Sequence, residues 1–230
     1  MPASSDLQAA IAGKTIGNGD TQGSTVLEIG TDPTQPYNLY QYNTDNTYTT
    51  QTGSWTLGAD SSCHPIINLT PASEKGITLG TTAIHVTTLV PATATTGALF
   101  TGTTDNGGTI GTTGLTFNVS IPFIPTDLDG KTLSIPGIVT DNRILFNADG
   151  TGIDYTNSCA GTTNTNIGFT WAINSNGSLV MDETKSCSTG EIFTISLLDK
   201  SVANQYKTTV YAQTGSTVDF AASPYTFTYK

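Results

Sequence analysis

Between Arg143 and Leu179 the chain reads RILFNADGTGIDYTNSCAGTTNTNIGFTWAINSNGSL, and this stretch leaves little freedom of fold. Asp149-Gly150 and Asn176-Gly177 supply the positive φ that tight hairpin turns require. Around these turns, Arg143–Asn147, Gly168–Ile173 and Ser178–Asp182 read as three short strands. Hairpins this short force neighbouring strands to run antiparallel.

A fainter copy lies upstream. Leu128-Asp129-Gly130-Lys131-Thr132-Leu133 echoes Ile11-Ala12-Gly13-Lys14-Thr15-Ile16, and Leu145-Phe146-Asn147-Ala148-Asp149-Gly150-Thr151 echoes Gln41-Tyr42-Asn43-Thr44-Asp45-Asn46-Thr47. The strand around Trp171 echoes Gly53-Ser54-Trp55-Thr56-Leu57. Three landmarks in the same order indicate a tandem repeat. Further strands are expected at Thr25–Ile29, Tyr37–Tyr42, Pro65–Leu69, Gly76–Leu79, Ile84–Leu89, Ala98–Phe100, Glu191–Leu197, Lys207–Gln213 and Pro224–Lys230. Leu115–Ile124 reads as the last strand of the first unit, and Pro122 and Pro125 mark a boundary. The expected fold is all-β: two related small antiparallel β-barrel or β-sandwich units in tandem, residues 1–125 and 126–230.

Composition agrees. The chain has 230 residues, only 11% of them charged, with nine Tyr and eight Phe. Thr is the commonest residue, which suits strands, while Lys and Glu, the staples of exposed helices, are scarce. The net charge is −10, and the eight Lys and Arg are scattered singly. Nucleic acid, which needs clustered cations, is therefore not an expected partner. No run approaches the ~18 apolar residues of a membrane helix, so membrane insertion is not expected. MPASSDLQAA lacks the basic start and apolar run of a signal peptide. The composition nonetheless suits an extracellular, cell-surface or bacterial-envelope protein, with Met1 standing where a leader was removed.

The three cysteines are Cys63, Cys159 and Cys187. Cys159 and Cys187 flank the Trp171 strand and are the expected disulfide, which leaves Cys63 odd: a free thiol, or a partner of one of the others. Phe146-Asn147-Ala148-Asp149-Gly150-Thr151-Gly152, Cys159 and Thr184-Lys185-Ser186-Cys187 together resemble the META-type domain of bacterial envelope proteins. Phe169-Thr170-Trp171-Ala172-Ile173-Asn174-Ser175-Asn176-Gly177-Ser178-Leu179 is similar to lipocalin-like domains of secreted bacterial proteins. The resemblance covers about 128–200 and, faintly, 11–70. It departs in two places: no Asn follows Cys159, and the first unit lacks the cysteine pair. It implies a small envelope or secreted β-domain and carries no catalytic residue set.

Catalytic signatures are missing from the sequence. There is no G-x-S-x-G or H-E-x-x-H, and His64 and His85 are the only histidines. Asn147-x-Asp149-x-Thr151-Gly152 with Asp154 has the opening rhythm of a calcium loop, but Ser158 stands where the closing Glu belongs, so a hairpin turn is expected. No cofactor or metal site is expected. Asp182, Glu183 and Glu191 offer the carboxylates for a hydrolase, the least favoured reading. The expected function is non-enzymatic: a structural, adhesive or assembly role through self-association or another surface protein. Tyr225, Phe227 and Tyr229 on one face of the last strand are either a barrel-closing strand or an assembly strand. The alternative is a module binding a small ligand or sugar in a cavity built on Trp55, Trp171, Phe169 and Phe146.

Overall fold

Alternation along the strands closes two barrels. The computed structural model describes residues 2–20, 23–34, 36–43, 47–72, 80–106, 114–134, 142–156, 159 and 166–230. A short helix, α1 (Ser4–Ile11), precedes the strands β1 (Thr15–Asp20), β2 (Gly23–Ile29), β3 (Tyr37–Asn43), β4 (Tyr48–Ala59), β5 (Pro65–Pro71), β6 (Thr82–Val90), β7 (Leu99–Asn106) and β8 (Leu115–Val119). Each pairs antiparallel with the next, and β8 returns to β1 through Ile16↔Val119 and Gly17↔Asn118. A 3-10 turn at Pro125–Asp127 leads to β9 (Thr132–Ser134), β10 (Arg143–Phe146), β11 (Thr151–Asp154), β12 (Ile167–Ile173), β13 (Leu179–Asp182), β14 (Ile192–Asp199), β15 (Gln205–Thr214) and β16 (Thr217–Tyr229). This second meander closes where β16 meets β9, at Thr228↔Ser134 and Tyr229↔Leu133. The two units are thus separate eight-stranded barrels rather than one continuous sheet system.

β5 shows why such segments become strands: Pro65, Ile67, Leu69 and Pro71 are buried while Ile66, Asn68 and Thr70 lie outward, a strict period of two. The expected turns form as their chemistry dictates. Gly150 (φ 81°) and Gly177 (φ 84°) sit in the left-handed region, each N–H donating three residues back, to Asn147 O and Asn174 O. Between Arg143 and Leu179 there is one more strand than expected. Thr151–Asp154, directly after the Asp149-Gly150 turn, is β11, and Gly152 lies where a Cβ would be 2.1 Å from the Phe169 ring on β12. The first barrel is stoppered at one end by α1, whose Leu7 and Ile11 are fully buried with Tyr37, Trp55, Ile67 and Phe100.

The repeat is corrected in register. Trp55 and Trp171 do lie on the fourth strand of their barrels, and the Gly-Lys-Thr landmarks do enter the first. The aromatic-Asn-x-Asp landmark, however, joins the third and fourth strands of the first barrel but the second and third of the second. The last strand of the first barrel also stops earlier than expected, at Val119, because Ile121 leaves to pair with Leu197 of the other barrel (N–H to O 2.8 Å). The Gly76–Leu79 strand falls outside the described residues.

Outward faces that look wrong for solvent are covered by the neighbouring barrel. Residues Thr208–Ala212 of β15 are buried without alternation, because Val210 faces its own core while Tyr211 faces the first barrel. Tyr211 stacks on Tyr40 at 3.9 Å between ring centroids, and its hydroxyl donates to Glu28 Oε1 at 3.0 Å. Burial raises the Glu28 carboxyl above its ordinary range. Backbone bonds add a second seam, with Gly97 and Lys200 N–H groups donating to Leu198 O and Thr95 O, each at 2.7 Å. Beside this seam, the Lys200 ammonium reaches both oxygens of Asp127 at 2.9 and 3.1 Å.

Close approach at this interface depends on glycine: a Cβ on Gly19 would stand 1.6 Å from Ser223 O. Gly19→Val is therefore expected to part the barrels, splitting the calorimetric unfolding transition in two or lowering its midpoint. In the second barrel a disulfide joins Cys159 to Cys187 across 28 residues. Replacing both cysteines with Ser is expected to lower stability by about 3–4 kcal/mol in chemical denaturation, the loop-closure magnitude.

Candidate functional site

The lumen of the first barrel is the candidate site. Register places matching positions side by side around the wall: Ile16, Leu27 and Leu39 are successive partners, as are Asn18, Thr25 and Gln41 one step nearer the open strand ends. Across the rest of the wall apolar and polar positions stand side by side, with Leu39 paired to Gln51, Leu69 to Thr82 and Ile84 to Thr104. Below, toward α1, Tyr37 and Trp55 are fully buried. Above them, side chains as small as Thr cannot meet across an eight-stranded barrel. The space left is about 390 Å³, and every strand of the barrel contributes at least one lining residue.

The chemistry of this space is uniform in one respect: none of the described residues that line it carries an ionisable side chain. Its hydrogen-bonding groups are the amides of Asn18, Gln41 and Gln51 and the hydroxyls of Thr25, Thr82 and Thr104. The Tyr37 hydroxyl donates to Gln51 Oε1 at 2.8 Å, which orients that amide. Burial pushes the Tyr37 phenol up to about 12, so it remains a neutral donor. Among the described residues the indole N–H of Trp55, opposite Leu69, has no hydrogen-bond partner.

The residues singled out by sequence do not converge. Phe146, Phe169 and Trp171 meet in the second barrel, with ring centroids 5.3 Å (Phe146–Phe169) and 5.8 Å (Phe146–Trp171) apart. The Trp171 N–H is already used, donating to Asn147 O and Thr151 O at 3.1 Å. These rings fill their barrel; a hollow beside Met181, Phe193 and Phe227 measures about 60 Å³, room for a water or two. Trp55 belongs to the other barrel. Tyr225, Phe227 and Tyr229 pack on the second core, and β16 is paired on both edges at Thr228 and Tyr229. Cys63 is exposed and free.

Sequence reasoning missed the lumen because polar residues facing a cavity and polar residues facing solvent alternate identically. A signal was nonetheless present in β3, YNLYQYN, where Tyr40 and Tyr42 occupy the face opposite Leu39 and Gln41. Aromatics on one face and a Leu/Gln mixture on the other fit a strand with neither side in open water.

The carboxylates Asp182 and Glu183 lie in different settings. Asp182 points outward and caps Thr184 through its backbone N–H (2.9 Å). Glu183 is fully buried beside Asp154, itself 2% exposed, and the two side chains are hydrogen-bonded. Burial, then the Asp154 charge and hydrogen bond, push Glu183 up to about 8. Asp154 also lines the hollow of about 60 Å³ in this barrel. In the suggested calcium loop, Asp149 Oδ1 instead accepts the Thr151 N–H at 3.0 Å, as a hairpin turn does.

Comparison of the chain with family models, with curated proteins and with solved structures gives no match.

The acid pair makes stability depend on pH with a definite sign. Because folding favours protonated Glu183, its contribution is full below the ordinary carboxyl value of 4.5 and is lost as pH rises toward about 8. Glu183→Gln keeps a donor without the charge. Denaturation curves across pH 5–9 should decline more gently for the variant, which should exceed the parent protein in stability at the alkaline end.

Proposed function

We propose that the protein is a non-enzymatic binding module that holds a small, uncharged, amphipathic molecule in the lumen of the first barrel. The observation that carries this reading is the space of about 390 Å³ whose wall combines apolar side chains with neutral hydrogen-bonding groups and, among the described residues, holds no ionisable side chain. Its size lies within the usual range of small-molecule sites. Burying a charge without a partner is costly, so the wall selects against fatty-acid anions and in favour of alcohols, esters or sterol-like molecules. The apolar portion faces Leu27, Leu39 and Phe117, and the hydroxyl or carbonyl meets Gln41, Gln51 or Asn18.

The structural or adhesive reading draws less support, because the aromatic face of the last strand is spent inside its own barrel. Similarity of the Trp171 segment to lipocalin-like domains agrees with a carrier. An extracellular or envelope setting agrees with the disulfide, since such bonds persist in oxidising compartments. Among the described residues no helix is long and apolar enough to cross a membrane.

The test is native mass spectrometry and tryptophan fluorescence with a panel of long-chain alcohols, monoacylglycerols and sterols beside the matching fatty acids. One-to-one binding is expected, with each alcohol at least tenfold tighter than its acid. Leu39→Phe fills the space and should abolish binding, while Gln51→Leu, losing one hydrogen bond, should weaken it roughly five- to a hundredfold. Failure of the whole neutral panel, or binding unchanged in Leu39→Phe, overturns the reading.

A further inference from the structure

A hollow in the second barrel lies against a buried acid. Register assembles its wall: Ile144 pairs with Asp154 across β10 and β11, and Met181 with Phe193 across β13 and β14. All four line a space of about 60 Å³, and Phe220, Tyr225 and Phe227 bring further rings to it. Met181 and Phe227 are buried, whereas Phe193, Phe220 and Tyr225 are half-buried. Thr156, also in the wall, is exposed, so the hollow reaches the surface. The rings are steeply inclined to one another. Tyr225 stands at 85° to Phe220 and 63° to Phe227, with centroids 6.0 and 5.0 Å apart. Rings at such angles present faces and edges by turns, so the wall offers π-electron density as well as bulk.

Among the described residues Asp154 is the one charged residue of this wall, and it is 2% exposed. Its Oδ1 accepts the Thr156 N–H at 2.6 Å, which fixes the carboxyl at the end of β11. Glu183, outside the wall, is hydrogen-bonded to it, and one proton held between the two leaves the pair a single negative charge at neutral pH. A buried charge in apolar surroundings favours a cation as its neighbour. That cation is not a metal: among the described residues no group of three or more His, Cys, Asp or Glu side chains could hold one.

We propose that this hollow binds the charged end of a primary alkylammonium ion, with Asp154 as its counter-ion and Phe220 and Tyr225 as aromatic walls. A space for a water or two takes the nitrogen of such an ion and the carbon next to it, and the alkyl chain leaves between the half-buried rings. The ammonium donates to Asp154 and to the Thr156 hydroxyl, and the ring faces attract its charge. A quaternary ammonium has no N–H to donate and carries a carbon in every direction, so it is too wide. A carboxylate guest is repelled by Asp154. The site is separate from the lumen of the first barrel, and it is charged where that lumen is neutral.

The sequence keeps these parts separate. Asp154 belongs to the apparent calcium loop and Tyr225 to the aromatic face of the last strand, and closure of the barrel brings β11 and β16 to one interior.

The experiment is calorimetric titration of n-butylammonium chloride into the full chain at neutral pH, beside sodium butyrate and tetramethylammonium chloride. The net charge of −10 attracts any small cation, and tetramethylammonium measures that background. One-to-one binding of butylammonium is expected, at least tenfold tighter than either comparison. Asp154→Asn keeps an acceptor for the Thr156 N–H while removing the charge, and should weaken binding at least tenfold. Phe220→Leu, at the rim, should weaken it roughly three- to thirtyfold through the lost ring face. Near-ultraviolet circular dichroism matching the parent protein shows that each variant folds, and should Asp154→Asn fail that check, Phe220→Leu decides alone. Absence of butylammonium binding up to high millimolar concentration, equal binding of tetramethylammonium, or affinity unchanged in Phe220→Leu overturns the proposal.

Discussion

Closure of each meander on itself is the constraint from which the rest of the structure follows. Once Ile16 and Gly17 pair with Val119 and Asn118, the first eight strands lose their free edges there, and every residue must face either a shared interior or the outside. Among the described residues the second barrel closes at Thr228↔Ser134 and Tyr229↔Leu133. Its aromatic last strand therefore has a plain task. Phe227 is buried in the second core, and Tyr229 stacks on Tyr206 at 4.4 Å while Lys131 lies over its outer face. Rings with that much apolar area secure a seam that the backbone alone joins briefly.

Closure fixes an interior but not its contents, and the two barrels fill theirs differently. Phe146, Phe169, Met181, Leu179 and Phe227 meet across the second barrel. In the first, large side chains gather at the α1 end, and Thr25, Thr82 and Thr104 line the opposite part. The buried polar groups follow the same division. Among the described residues, those lining the lumen of the first barrel are neutral amides and hydroxyls, and its buried Glu28 carboxyl faces the docked barrel instead. In the second, Asp154 and Glu183 lie side by side, and holding one proton between them avoids two adjacent buried charges.

Much of the architecture was legible in the sequence because turn chemistry and alternation are local. Asp149-Gly150 and Asn176-Gly177 dictate hairpins whatever surrounds them, and the Cys159–Cys187 pairing follows from where those hairpins place the chain. The candidate sites were not legible, for reasons that are equally physical. A threonine facing a lumen and one facing water have the same neighbours in sequence. Glu28 looks like an ordinary outward acid until Tyr211, 183 positions away, donates to it. Trp55 and Trp171 were rightly matched by strand position, yet one is enclosed beneath a hollow while the other ties its N–H to the Asn147 turn. Equivalent places in a repeat fix equivalent backbones, not equivalent surroundings.

That difference bears on how the tandem works. The outer face of β1–β3, which surrounds part of the lumen, is also the face that docks on β15 and β16 through Gly19, Tyr40 and Glu28. Thr25 and Leu27 point into the hollow while Val26, between them, is buried against the second barrel. A wall with side chains missing from its inner surface loses packing on that side, and the docked barrel restores contact from the other. The filled barrel, braced by its disulfide and by the Lys200–Asp127 pair at the seam, thereby supports the hollow one. An isolated first barrel would expose Tyr40, Val26 and the buried carboxyl of Glu28 to water, so the docked second barrel is part of what holds this wall in place.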